Sequence, residues 1–179
     1  MFFITFLKIY GIDIVHLIIK LISVMQNFNQ NISHTIYNLI AVLEDAKKGY
    51  LHASEKIKDS VLSLLMERYG YQRGRYSSEL RKIAINLGAN TPVDKLTLSL
   101  LQRTWMDLKS TFKTGKKEQI IEGCIKAEET ALENYGHAIE QLEDNYEVRA
   151  VLLQQFNGIR TVLNTIKEYN RQNENLQLN

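Results

Sequence analysis

The chain has 179 residues, 45% of them apolar and 23% charged, with one proline and a formal net charge of +2. That composition supplies one hydrophobic core, and the near-balance of basic and acidic residues leaves no electrostatic footprint for nucleic acid. The single cysteine, Cys124, excludes an internal disulfide, and no Cys/His set has zinc spacing.

The first element is apolar. Eighteen of residues 1–25 are apolar, the exceptions being Thr5, Lys8, Gly11, Asp13, His16, Lys20 and Ser23. On a helical wheel these polar positions, Gly11 aside, fall within an arc of about 140°. That pattern suits a helix lying in a membrane surface. Positions 8, 13, 16 and 20 interrupt the run of about 20 apolar residues that a bilayer span needs. A basic n-region and a small-residue cleavage site are both lacking. Residues 1–25 are therefore expected to form a helical appendage, poorly packed on the remainder, or to be an upstream artefact preceding a start at Met25.

Start and stop signals divide the rest into five helices. The first runs from about Ser33 to Lys56. The second follows the Asp59-Ser60 cap and ends before Gly88, a left-handed stop. Thr91-Pro92-Val93-Asp94 begins a shorter helix that reaches Phe112 and holds Trp105. The fourth runs from about Lys117 to Leu142. Asp144-Asn145-Tyr146-Glu147 starts the fifth, which fades into a polar tail over residues 171–179. The four long helices each span about 36–43 Å. Two hairpins joined by one long connection over residues 30–170 predict an all-α fold: a ferritin-like four-helix bundle with a helical crossover between its second and third bundle helices. A five-helix globule is the structural competitor.

Apolar stripes at 3–4 spacing support that fold, with Leu39, Leu43 and Tyr50 on the first helix and Leu152, Ile159 and Ile166 on the last. Polar residues interrupt the stripes. Glu128 falls at the centre of the fourth helix's stripe. Gln72 and Glu79 fall on the second helix beside Tyr69 and Tyr76, Gln155 on the fifth, and Glu44 beside the first stripe. A buried carboxylate needs a donor, a cation or a proton. One solution is a di-metal centre of iron or manganese, with Glu44, Glu79 and Glu128 as ligands. Such centres use Glu-x-x-His on two helices, whereas Glu79 is followed by Lys82 and the fifth helix has no Glu-x-x-His. The alternative is a hydrogen-bonded layer of Gln72, Glu79, Glu128, Tyr135 and Gln155 that fixes helix register. In that layer Gln72 or a tyrosine hydroxyl partners Glu128, Tyr135 lies near Glu79, and replacing Glu128 by Gln is mild or stabilising.

Residues from about Ile32 to Tyr169 resemble a bacterial family of ferritin-like four-helix bundles classed as a domain of unknown function. The segments that carry the resemblance are Lys47-Lys48-Gly49-Tyr50, Glu67-Arg68-Tyr69-Gly70-Tyr71-Gln72-Arg73 with Ser78-Glu79-Leu80, Arg103 to Lys109, Ala127-Glu128 with Tyr135, Val148-Arg149 and Ile159-Arg160. The resemblance implies a ferritin-like fold, an unassigned activity and a stress-associated role. It also implies His at Gln102 and His-Asp at Leu163-Asn164. This chain departs from both, which puts metal binding in doubt.

Together these readings describe a non-enzymatic bundle with no cofactor and a buried Glu/Gln/Tyr layer in place of a degenerate metal centre. It is cytoplasmic, or membrane-associated through residues 2–24, and a candidate homo-oligomer. The alternatives are a protein that binds or oxidises through iron or manganese, and a membrane-surface adaptor.

Overall fold

The structure is a computed structural model. It describes residues 14–88 and 116–177, apart from the side chains of 27–29 and 173–177. These residues form four helices and no strand: α1 Ile14–Lys56, α2 Ser60–Asn86, α3 Lys117–Gln141 and α4 Tyr146–Gln177.

The boundaries follow local chemistry. Asp59 caps α2 by accepting from the backbone N–H groups of Val61 and Leu62. Gly88, at φ 76°, takes the left-handed backbone that ends α2. Asn145 caps α4 by accepting from the Val148 N–H at 3.1 Å. Two expected boundaries are corrected. Ser33 does not begin a helix, because α1 runs unbroken from Ile14 through a stretch with neither Gly nor Pro. The last helix also continues past Asn170 to Gln177. There Glu168 accepts from Arg171 and Gln172, pairs that staple the final turns. The expected crossover helix with Trp105 lies outside the described residues.

Side-chain pairings give the topology. Helices α1 and α2 run antiparallel, with Glu44 opposite Ser77 and Ser54 opposite Ser63. Helices α3 and α4 do the same, with Glu129 opposite Lys167 and Tyr135 opposite Gln155. Across the two hairpins, Tyr50 meets Glu128 and Glu79 meets Gln155, again antiparallel. Helices α2 and α3 advance together, as α1 and α4 then must: Asp59 lies beside Lys117, Met66 beside Cys124, and Arg73 beside Glu128. Gly88 and Lys116 therefore sit at opposite ends of the bundle, separated by roughly the 40 Å length of α2.

The core consists of two apolar clusters. One joins Ile36, Leu43, Leu80 and Leu152 with their neighbours; the other joins Ala53, Leu62, Met66 and Ile166 with theirs. Gly158 lets α4 approach α2 closely, since a Cβ there would collide with the Tyr76 hydroxyl.

The helices differ in length, and this exposes part of α1. Thr35 pairs with Gln141, the last residue of α3, and Ile32, at 1% exposure, is where the buried stripe of α1 begins. Residues 14–31 therefore overhang the bundle by roughly 27 Å. Every large apolar side chain from Val15 to Met25 is 49–66% exposed. Among the described residues no helix is long and apolar enough to cross a membrane.

Candidate functional site: a polar layer between two apolar clusters

The second helix places a residue every three or four positions on its inward face: Leu62, Met66, Tyr69, Arg73, Tyr76, Leu80 and Ala84 are all buried. Arg73 is thus a core residue, at 0% exposure. Its guanidinium donates to Glu128 Oε2, and it also donates to the side-chain carbonyl of Gln72. The other Glu128 oxygen accepts from the Tyr50 hydroxyl at 2.6 Å. The guanidinium further lies 5.9 Å from the Tyr50 ring centroid, close enough for a cation–π contact.

These three groups set one another's protonation. Burial pushes the Glu128 carboxyl above its ordinary range, and the Arg73 charge and the Tyr50 hydroxyl pull against that rise. Burial alone would lower Arg73, but the Glu128 charge holds it above its usual value. A guanidinium does not release its proton in a protein. The guanidinium is thus the fixed charge of the pair, and it opposes the protonation that burial favours at Glu128. Burial also drives the Tyr50 hydroxyl well above its ordinary range, so it keeps the proton that it donates to Glu128.

A second network lies next to the first. The Tyr135 hydroxyl donates to Gln155 Oε1 at 2.6 Å, and Gln155 Nε2 donates to Glu79 at 2.7 Å. Gln155 thus bridges Tyr135 and Glu79, which lie near each other as expected. Glu44 belongs to a third group at the edge. It accepts from Ser77 at 2.6 Å and Arg81 at 3.3 Å. Burial raises its carboxyl, but these two donors outweigh burial and bring it below the ordinary range.

The three expected metal-ligand carboxylates therefore have different partners: Ser77 and Arg81 for Glu44, Gln155 for Glu79, and Tyr50 with Arg73 for Glu128. Among the described residues no three His, Cys, Asp or Glu side chains gather as a cation site would require. His137 lies 3.8 Å from Glu140 on the surface. Gln72 does not reach Glu128. It is half-buried and lines a groove of about 650 Å³ between α2 and α4, together with Arg68, Tyr71, Arg75 and Thr161. Through Gln72 the layer therefore adjoins solvent. Cys124 is buried against Met66, at 3.8 Å, and burial raises its thiol well above the reactive range.

Arg73 is the residue that sequence reasoning missed. It sits four residues after Tyr69 and three before Tyr76, so its spacing marked it for the core as well as that of Gln72 did.

Residues 31–141, more than half of the chain, match the family described as Domain of unknown function (DUF2383). The chain belongs to that family. The match begins where the overhang of α1 ends, and it covers α2, α3 and the buried layer except Gln155. No curated protein and no solved structure matches the chain.

Proposed function

We propose that the protein is a non-enzymatic, ferritin-like helical scaffold in which an internal ion pair replaces a metal centre. The single observation that carries this reading is Arg73. A di-metal bundle holds inward-facing carboxylates around cations. Here the cation is a side chain: the Arg73 guanidinium sits on the Glu128 carboxylate within the core. A metal ion at Glu128 would have to displace both Arg73 and Tyr50, and it would face a fixed positive charge in a low-dielectric interior. No histidine lies on the inward stripes of α2, α3 or α4. The side chains present do not fit iron or manganese.

The antiparallel hairpins and the end-to-end separation of Gly88 and Lys116 support the ferritin-like arrangement. The ion pair ties α1, α2 and α3 at one level, and Gln155 ties α4 to α2 and α3. Such a layer fixes register, because sliding α2 or α3 by one turn would strand a buried charge, and sliding α1 or α4 would strand a buried hydroxyl or amide.

Metal analysis tests this reading. Protein purified after growth with added iron and manganese is expected to carry far less than one metal per chain. The paired replacement Arg73→Met with Glu128→Leu is expected to keep the helical signal and to melt at or above the wild-type temperature. Stoichiometric metal that disappears in Glu128→Gln would overturn the proposal.

A further inference from the structure

We propose that the overhanging turns of α1 dock on an anionic lipid surface and hold the bundle beside it. The proposal is independent of the polar layer and rests on four observations.

First, the exposed apolar side chains are contiguous. Eight large ones fall between Val15 and Met25, all 49–66% exposed, whereas the other exposed large hydrophobics among the described residues, such as Val61, Leu64 and Ile85, are scattered. Isolated exposed hydrophobics are ordinary, but a contiguous patch marks a contact surface.

Second, the apolar sector is too wide for a helix partner. At 100° per residue, Val15 to Met25 places apolar side chains over about 220° of the helix. A two-helix seam needs only a narrow stripe. Lipid wets the whole sector at once, as it does for helices lying in the bilayer interface.

Third, the charge is complementary to an anionic surface. His16, Lys20 and Ser23 make up the remaining polar stripe, and the chain has no acidic residue between Asp13 and Glu44. A lysine near an anionic bilayer gains attraction that an acidic neighbour would cancel.

Fourth, the placement separates the two environments. The sequence from Gln26 to Asn31 is polar except for Phe28 and carries no charge. It lies between the apolar turns and Ile32, where burial begins. The apolar turns can therefore enter a lipid surface without removing any side chain from the core.

The test uses the full chain and sedimentation with large unilamellar vesicles. One set contains equimolar phosphatidylglycerol and phosphatidylcholine, and the other contains phosphatidylcholine alone. The wild type is expected to sediment with the anionic vesicles. Combining Ile18→Glu with Ile22→Glu is expected to weaken that binding by at least about tenfold. Lys20→Gln is expected to weaken it about fivefold on anionic vesicles and to leave the weaker binding to neutral ones unchanged. Leu64→Glu places the same charge at an exposed position of α2 and is expected to change nothing. All variants should melt like the wild type, since none alters a buried side chain. The proposal is overturned if the wild type fails to bind vesicles or if Leu64→Glu weakens binding as much as the double variant. It is equally overturned if the double variant melts lower, which would place these turns inside a packed core. A concentration-dependent oligomer that the double variant disperses, with no vesicle binding, would assign the surface to a second copy instead.

Discussion

The two ends of the bundle solve the same problem in opposite ways. At one end Asp59 accepts from the α2 backbone, from Lys117 of α3 at 2.9 Å and from the Tyr169 hydroxyl of α4 at 2.6 Å. One carboxylate thereby joins three helices. At the other end α2 stops at Asn86 and α3 at Gln141, while α1 extends beyond both of them. The same helix is fully buried at Leu43 and half exposed at Ile22. Hydrophobicity does not separate those two stretches; the length of the neighbouring helices does. An apolar helix becomes core only where partners lie alongside it.

The sharpest way to break this picture is to attack the layer between the ends. Glu128→Gln leaves Arg73 buried without a countercharge. Removing one member of a buried pair destabilises by about 3–5 kcal/mol, so this variant should show the largest loss in a urea melt. That reverses the expectation drawn from sequence, which foresaw a mild effect because Arg73 was not counted as a core residue. Tyr50→Phe removes only one donor to the carboxylate and should cost about 1.5–3 kcal/mol. Replacing the pair with Met and Leu should recover the whole loss. It would also remove the Arg73 Nε, which finds no acceptor among the described residues. If Glu128→Gln melts like the wild type, the ion pair does not hold the layer.

The contrast along α1 can be tested directly by making the same change on each side of Ile32. Leu43→Ala opens a cavity in the core and should cost about 3 kcal/mol. Leu21→Ala, on the overhang, should leave stability within about 0.5 kcal/mol of the wild type. Amide exchange gives an independent check, with strong protection from Ile32 onward and fast exchange N-terminal to it. Equal losses from the two substitutions would mean that the overhang is part of the cooperative fold.

Much of this was legible in the sequence. The helix count came from Asp59, Gly88 and Asn145, whose roles are local, and the inward stripes came from simple periodicity. The polar layer was visible as Glu128 and Gln155 on otherwise apolar faces. The tyrosine hydroxyl expected on Glu128 is supplied by Tyr50, but the cation beside it, Arg73, was not legible. Gln72 and Arg73 fit the gap between Tyr69 and Tyr76 equally well by spacing, and burying a neutral amide is the cheaper choice in isolation. The choice is made by which neighbour each position faces. Position 73 faces the carboxylate of α3, whereas position 72 faces the groove beside α4. That information resides in helix rotation and the depth of neighbouring helices, not in the local pattern. The unbroken run of α1 past Ser33 was missed for a related reason: polar Asn and Gln residues look like a linker but do not stop a helix.

A smaller loss than those in the core is predicted at the closed end, and it depends on pH. Backbone and side-chain donors, the Leu62 N–H first and then the Tyr169 hydroxyl and Lys117, hold the Asp59 carboxyl well below its ordinary value of 3.8. The folded state therefore binds this proton more weakly than the unfolded chain does. The resulting stabilisation is complete above about pH 4 and is lost as pH falls through the depressed folded value. The carboxylate is partly exposed, so screening limits its worth, and loss of the cap should cost about 1 kcal/mol. Asp59→Asn keeps a capping oxygen for the α2 backbone but gives up the charge that attracts Lys117. Chemical melts of wild type and Asp59→Asn are expected to differ most at neutral pH and to converge as the pH drops below about 4. Curves that stay parallel across that range would show that the cap, not the charge, is what Asp59 contributes. The closed end would then be held by hydrogen-bond geometry alone.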